Sequence, residues 1–160
     1  MRRCGSSTLS PRTMKTTSKY LPKKGLSPFQ IRWNEPLGES HCPYAYRWVL
    51  NLHLFSIRLH NFVRSDDKRY FHDHPWNFIT LILKGSYIDV SPTGRDRLTA
   101  GSLRYRRFDH KHYVDVPEGG FWSLVITGPL VHKWGFWVEG KFRRPFKYFR
   151  KWGHPPCDEQ

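Results

Sequence analysis

Two histidines one residue apart, His72 and His74, carry the clearest chemical signal in the sequence. They precede an apolar run, residues 78–83, whose β-branched and aromatic side chains are typical of a strand. In an extended segment alternate side chains share a face, about 6–7 Å apart, so both imidazoles can reach one metal ion. A third ligand must come from elsewhere in the chain. The best candidate is His112, and its rival is His110.

Three imidazoles would make a versatile metal site. Imidazole suits several transition metals, so the ligand type alone does not select one of them. Neutral histidines leave the ion its full positive charge, and three of them leave positions open for water, oxygen or a bidentate substrate. We therefore expect one transition-metal ion, Fe, Zn, Ni or Mn, as the cofactor.

The sequence around these histidines resembles the two motifs of the cupin superfamily. His72, His74 and Gly85 are in register with the first motif, and Gly101 and His112 with the second. In the second motif, basic and acidic residues at 107 and 109 stand where proline and glycine are usual. The resemblance implies an all-β, single-domain cupin, that is, a double-stranded β-helix or jelly-roll barrel, with these histidines as metal ligands.

A narrower resemblance covers about residues 46–140. A group of small, poorly characterised cupin-like proteins, common in phages and bacteria, has a pattern that includes H-D-H-P-W and W-G-F. Those pieces stand here at residues 72–76 and 134–136. They are the most specific part of the similarity.

One position departs from the cupin pattern. The usual glutamate ligand of the first motif falls on Phe78, which cannot bind a metal. The site is then either a three-histidine site, as in thiol dioxygenases of the same superfamily, or is completed by Asp73, Asp66 or His60. The three-histidine alternative implies an Fe-dependent dioxygenase as the leading reaction class.

Charge and aromatic content indicate the kind of ligand. The chain has 160 residues, with 27 Lys and Arg against 13 Asp and Glu and a net charge of +14, which favours anionic partners. Aromatic residues make up 16% of the chain, which favours a β-rich fold with rings in and around a cavity. Arg104 and Arg106 share one face of a strand and are proposed to bind a small anionic ligand. The rings proposed to line the same cavity are those of Trp76, Phe78, Trp122 and Trp134, and each of them could instead belong to the hydrophobic core.

The cysteines and the apolar segments bear on location. Cys4, Cys42 and Cys157 are odd in number and widely spaced, which argues against a disulfide framework and favours a reducing, cytoplasmic setting, the host cytoplasm if a phage encodes the chain. No apolar run approaches the ~20 residues of a membrane span, so no membrane partner is expected.

We divide the chain into three parts. Residues 1–28 carry seven basic residues and no acid, and we interpret them as a disordered arm. Alternatives are a nucleic-acid-binding arm, a transit peptide in a eukaryote, or a true start at Met14 rather than Met1. Residues 29–152 form the barrel, and residues 153–160 form a tail.

Eight or more short strands separated by turn signals, with no convincing amphipathic helix, indicate a sandwich or barrel. Residues 35–43 are expected to be a loop, and a turn is expected at Lys84 and Gly85. Residues 141–151 alternate basic and aromatic side chains, which either cover the outside of the barrel or bind nucleic acid.

Three functions remain open from the sequence. The first is a metalloenzyme that acts on a small anionic molecule, with a dioxygenase as the leading reaction class. The second is a non-catalytic pocket for a nucleotide or sugar phosphate, and the third is nucleic-acid binding through the arm and the basic segment. A homodimer is compatible with each of them.

Overall fold

The computed structural model describes residues 29–39, 41–155 and 157 of the chain. The predicted arm, residues 1–28, lies outside the described residues, as do four residues of the predicted tail. Within the described ranges the chain forms eleven strands and one helix. In chain order they are β1 (Phe29–Glu39), β2 (Cys42–Leu52), β3 (Ser56–Phe62), β4 (Phe71–His72), β5 (Phe78–Ser91), β6 (Gly94–Thr99), β7 (Leu103–Arg106), β8 (Tyr113–Asp115), β9 (Phe121–Thr127), β10 (Phe136–Val138), β11 (Lys141–Arg143) and α1 (Pro145–Trp152).

The strands form two antiparallel sheets. The larger has the order β1-β2-β3-β9-β5-β6, and both β7 and β8 also pair with β5. The smaller has the order β11-β10-β4. Strand β5 is the longest: residues 78–85 pair with β9, and residues 86–91 pair with β6. One strand therefore connects the two halves of the barrel.

The larger sheet buries one face. In β9 residues 121, 123, 125 and 127 are buried, while the residues between them face outward. Residues directly opposite one another on paired strands share a face, so the inner face continues through His60 of β3 and through Phe78, Thr80 and Ile82 of β5. The side chains of this inner face surround the interior in which the candidate site lies.

Two apolar clusters close the barrel. The first consists of Ile82, Tyr87, Leu98, Val114 and Phe121. The second joins the smaller sheet to the helix: the ring of Tyr148 on α1 stacks on Phe136 of β10 with 3.8 Å between centroids, and its hydroxyl donates a 2.8 Å hydrogen bond to Asp67.

The helix corrects one expectation from the sequence, that no amphipathic helix is present. Pro145 occupies its first turn and Gly153 follows its end, both positions that these residues favour. Tyr148 and Trp152 lie one turn apart and pack into the second apolar cluster. The alternating basic and aromatic residues of this segment therefore follow a helical period, not a strand period.

Two further expectations are wrong in detail. Residues 35–43 are not a loop, because β1 and β2 continue as a long hairpin with register shifts that take up the irregular positions, including Gly38 at φ 100°. Nor does the strand that follows the histidines end at Lys84 and Gly85. It passes through a bulge between Ile82 and Lys84 and continues to Ser91.

A disulfide joins Cys42 on β2 to Cys157, whose Cα atoms lie 5.9 Å apart. The expectation of a chain without disulfides is wrong for this pair. The two residues are separated by 115 positions in the sequence, so their spacing gave no sign of the contact.

The described residues include no helix that is long and apolar enough to cross a membrane.

Gly85 gives a test of the barrel's packing. It adopts φ +77°, and a Cβ there would collide with the carbonyl oxygen of Gly120, whereas Gly140, at φ +74°, has open space around it. Alanine at either position strains the left-handed backbone by about 1–2 kcal/mol. Gly85→Ala must also move a neighbouring strand, which adds about 1–3 kcal/mol. Urea unfolding should therefore show a clearly larger loss of stability for Gly85→Ala than for Gly140→Ala, and equal losses would contradict the packing described.

Candidate metal centre

Three histidines meet inside the barrel through the pairing of two short segments. His72 ends β4 and His112 immediately precedes β8. The two residues form an antiparallel bridge, in which the amide of His72 donates to the carbonyl of His112 at 2.8 Å and the reverse bond is 2.9 Å. His74 follows two positions after His72, so its side chain returns to the same side. The backbone therefore fixes all three side chains before any ligand binds.

The imidazoles of these histidines converge on one point. One ring nitrogen from each lies within 4.8 Å of the others. The Nε2 atoms of His74 and His112 are 2.8 Å apart, and the centroid of the His72 ring is 5.2 Å from that of His74 and 4.9 Å from that of His112. Two nitrogens that bind one ion at ~2.1 Å with a right angle between them stand about 3 Å apart. The positions of these rings fit a single metal ion.

A buried carboxylate, Asp89 on β5, lies behind the cluster. His112 shares a 2.7 Å hydrogen bond through Nδ1 with Asp89 Oδ1, and Arg106 donates two hydrogen bonds, of 3.0 and 2.7 Å, to Oδ2. His110 Nε2 lies 3.2 Å from the same oxygen. A carboxylate on Nδ1 fixes the tautomer of His112, so that its Nε2 lone pair faces the other two rings. This is the usual outer shell of a histidine metal ligand.

Electrostatics favour the neutral imidazoles of His72 and His74. Burial lowers the pKa of His72 and of His74 well below the ordinary value, and the neighbouring His112 lowers both further. For Asp89, burial alone would raise the pKa, but hydrogen bonds from His110, His112 and Arg106 outweigh it and lower the pKa. Unprotonated imidazoles with free lone pairs are the form that binds metal.

Phe78 packs against the cluster. Its side chain is buried on β5, and its ring centroid lies 4.8 Å from that of His74. Of the three residues considered as replacement ligands, Asp66 comes nearest: one of its oxygens lies 3.7 Å from His72 Nε2, and the other accepts a 2.9 Å bond from the amide of Val114. Burial raises the pKa of Asp66 well above its ordinary value.

Asp73 and His60 are placed elsewhere. Asp73 points away from the cluster and accepts hydrogen bonds from the amide of Gly135 at 2.8 Å and from the indole of Trp137 at 2.9 Å, so it anchors the loop before β10. His60 lies on the inner face of β3, but it is not among the converging nitrogens. Burial, with the nearby charges of Arg58 and Arg47, lowers its pKa to about 3.

The two arginines expected to bind substrate have different surroundings. Arg106 is on the inner face, but it is bound to Asp89. Arg104 is exposed, and its guanidinium donates to the carbonyl of Leu103. The prediction that both arginines lie on one face is consistent with the strand pairing, in which Arg106 lies opposite Phe78 and Arg104 lies opposite Thr80. The sequence could not show that Arg106 has an ionic partner, Asp89, on another strand.

The rings expected around a cavity have different surroundings. Trp76 lies under the guanidinium of Arg58, 3.9 Å from ring centroid to Cζ, so it does adjoin the inner polar region. Trp122 lies on the outer face of β9 and stacks on Trp48. Trp134 packs in the second apolar cluster, beside Phe136. Trp122 and Trp134 therefore do not line the candidate site.

Sequence reasoning missed two residues of this region, Asp89 and Arg58. Asp89 could have been noticed as the single acid within an otherwise apolar strand stretch, residues 87–90. Arg58 lies on the inner face of β3, two residues before His60, and its charge contributes to the lowered pKa of His74. Nothing in the local pattern distinguished it from an arginine that faces solvent.

Among solved structures, the chain is similar to an RmlC-like cupin from Shewanella frigidimarina NCIMB 400, with a TM-score of 0.50 and 16% identity over 64% of this chain and 95% of that one. The chain has the cupin fold.

Two other cupin-fold neighbours have slightly lower TM-scores. The DMSP lyase DddQ from Ruegeria pomeroyi DSS-3 has a TM-score of 0.49 and 18% identity, over 62% of this chain and 56% of that chain. KdgF from a Halomonas species has a TM-score of 0.49 and 14% identity, over 63% of this chain and 94% of that chain. This chain therefore spans little more than half the length of DddQ. Neither a family model nor a curated protein matches the sequence.

Metal content gives the direct test of the ligand set. Protein purified without added metal should carry about one transition-metal ion per chain, and His72→Ala/His74→Ala and His112→Ala should each lose most of it, because removing a ligand leaves too few donors. His110→Ala is the matched control, since its ring bonds Asp89 but lies outside the three-histidine group. Elemental analysis in which His110→Ala loses the ion while His112→Ala keeps it would overturn the assignment.

Proposed function

We propose that this cupin holds one transition-metal ion through His72, His74 and His112 and acts on a small anionic molecule. The observation that carries the proposal is the convergence of three imidazoles backed by Asp89, with Phe78 packed against them. An ion bound by three neutral ligands keeps its full charge, and it would supply Lewis-acid chemistry or, if it is iron, redox chemistry.

The residues of this chain have separate roles in the proposal. Asp89 holds the His112 tautomer, and Arg106 neutralises the charge of Asp89. Phe78 supplies an apolar wall that contributes no ligand, so a position near the imidazoles stays open to substrate. Asp66, beside His72, is a candidate to hold a proton at the edge of the site, because burial favours its neutral form.

Arg58 replaces Arg104 and Arg106 as the residue proposed to select an anion. Its guanidinium lies over the ring of Trp76, and its Nε donates a 2.9 Å bond to Ser56. It lies close enough to lower the pKa of both His74 and His60. A second arginine of the inner face, Arg47, is buried and bonds Glu35 at 2.8 Å. Arg58 is the arginine that lies beside Trp76 and the histidines, and guanidinium binds a carboxylate or phosphate bidentately.

For the reaction class, we propose an Fe-dependent dioxygenase, in keeping with the three-histidine set. We also propose that the chain is related to the small phage and bacterial cupin-like proteins with the H-D-H-P-W motif.

The competing possibility is a pocket that binds a nucleotide or sugar phosphate without catalysing a reaction. Oxygen consumption by the iron-loaded protein, measured with any ligand found, separates the two. In an enzyme, Phe78→Glu should keep the ion and reduce turnover, because the carboxylate fills a position that substrate needs.

Calorimetry with a panel of small carboxylates and phosphate monoesters tests the role of Arg58. Any anion that binds should lose about 1.5–3 kcal/mol of affinity in Arg58→Met, because a charge-assisted hydrogen bond is removed. Arg104→Met is the matched control and should bind as the wild type does, since Arg104 is exposed on β7. Unchanged affinity in Arg58→Met would show that the anion binds elsewhere.

A second candidate function, nucleic-acid binding, is favoured by a cleft beside α1. The cleft has a volume of about 460 Å³, and its lining residues are Arg143, Lys147, Arg150, Lys151 and Trp152. Four of these five side chains are cationic and none is acidic. Such a cleft can hold phosphates, while an aromatic side chain stacks on a base.

Binding of a fluorescent single-stranded oligonucleotide at several salt concentrations tests this second function. Lys147→Glu/Arg150→Glu should weaken binding and reduce the slope of log affinity against log salt by about 1.4, because two phosphate contacts are lost. The control with the same charge change is Arg95→Glu/Arg97→Glu on β6. Equal weakening by both variants would indicate net charge alone and would contradict a defined cleft.

A further inference from the structure

The disulfide between Cys42 and Cys157 joins the first residue of β2 to the chain that follows α1. Both cysteines are partly exposed, so a small thiol in solution can reach the bond. Neither cysteine belongs to the candidate metal centre, and the proposed function does not use them. Two segments that are 115 positions apart in the sequence are thus held together by one covalent bond that a reductant can open.

Two arginines connect residues 64–69 to the two chain segments that the disulfide joins. At one end, Arg64 donates a 2.6 Å hydrogen bond from Nη2 to the carbonyl of Cys42. At the other end, Arg69 donates two hydrogen bonds of 2.8 Å to the carbonyls of residues 152 and 153, where α1 ends. The 64–69 segment is therefore held from both sides by backbone that lies at or near the two cysteines.

The 64–69 segment carries Asp66 to the edge of the metal centre, where one of its oxygens lies 3.7 Å from His72 Nε2. The next residue, Asp67, is 5% exposed and accepts hydrogen bonds of 2.9 and 2.8 Å from the guanidinium of Arg69. Contacts therefore run without a break from the end of α1, through Arg69 and Asp67, to the residue beside His72. A path of this kind couples two places when an element along it has two states. The disulfide is such an element.

We propose that the disulfide is a redox switch: when closed it holds Asp66 beside His72, and when open it releases the 64–69 segment. A dithiol supplies the reduction in two exchange steps. Its thiolate first attacks one sulfur of the bond and forms a mixed disulfide, and its second thiol then displaces the bound cysteine. Two electrons and two protons pass to the protein, which gains two thiols, while the dithiol becomes a disulfide.

Opening the switch affects the last turn of α1 and leaves the rest of the helix in place. Tyr148 keeps its stack on Phe136 and its hydrogen bond to Asp67, because neither contact involves the cysteines. The carbonyls that bind Arg69 lie beyond this anchor, towards Cys157. Helix ends fray when nothing fixes them, so Arg69 loses its fixed acceptors. The consequence for a bound ion rests on the proposed function, whereas the release of the segment does not.

Peptide mass spectrometry and hydrogen exchange on the full chain without metal test the switch. Protein purified without reductant should yield a linked pair of peptides that contain Cys42 and Cys157, and dithiothreitol should separate them. The same treatment should raise the exchange rates of the backbone amides in the 64–69 segment about 10-fold. Cys157→Ser should reproduce this rise without reductant. Cys4→Ser is the matched control and should behave as the wild type does, because it leaves the bonded pair intact.

Arg69→Met separates the proposed path from a general loss of stability, because it removes the two hydrogen bonds to the end of α1. In this variant the 64–69 segment should exchange rapidly, and dithiothreitol should change its rates less than about 2-fold. A rise on reduction that is equal in the wild type and in Arg69→Met would overturn the inference. Wild-type protein without a linked peptide pair after purification in the absence of reductant would also overturn it.

The rate at which a chelator removes the ion tests whether the switch reaches the metal centre. Cys157→Ser should release its ion about 10-fold faster than Cys4→Ser, because a ligand that loses its outer partner binds metal more weakly. Equal release rates would overturn the coupling to the site. If neither variant holds an ion, the proposed function fails, and hydrogen exchange without metal still decides the switch.

Discussion

A single buried carboxylate, Asp89, constrains the shape of the candidate site. It receives hydrogen bonds from Arg106 on one strand and shares others with His110 and His112 from the following loop. Without it, a buried guanidinium and two imidazoles would lose their common partner, and leaving such groups unpaired in the interior is costly. The same carboxylate directs the free nitrogen of His112 toward His74. One residue on β5 thus links the stability of the barrel to the geometry of the site.

The sequence predicted the parts of the structure that local pattern determines. The H-x-H spacing and the glycines carried the resemblance to cupins, and the chain has the cupin fold. Turn signals predicted eight or more short strands, and the described residues form eleven. Failures occurred where tertiary pairing overrides a local signal: β5 continues through Gly85 because a bulge and a close approach to Gly120 accommodate the turn residue. The helix was missed because the interleaved basic and aromatic residues of this segment were not tested against a helical period.

The surroundings of the histidines could not be predicted, because they depend on register between distant strands. Asp89 reaches His112 across 23 positions of sequence. Arg58 adjoins the site only because β3 presents its even-numbered residues to the interior, and the same register sends Ile57 and Leu59 to the outer face. Arg106 was predicted to bind substrate and is instead engaged by a carboxylate that no local pattern connects to it. Inner polar and outer apolar residues alternate along the same strands, so a single register determines both surfaces.

X-ray absorption of the protein loaded with one equivalent of iron tests the central claim most directly, because it reports the atoms bound to the ion. The account predicts three imidazole nitrogens in the first shell, at about 2.0–2.2 Å, with the remaining scatterers from water or added anion. His112→Ala should lower the imidazole count by one. A wild-type shell made of oxygen atoms, with one imidazole or none, would contradict the three-histidine site.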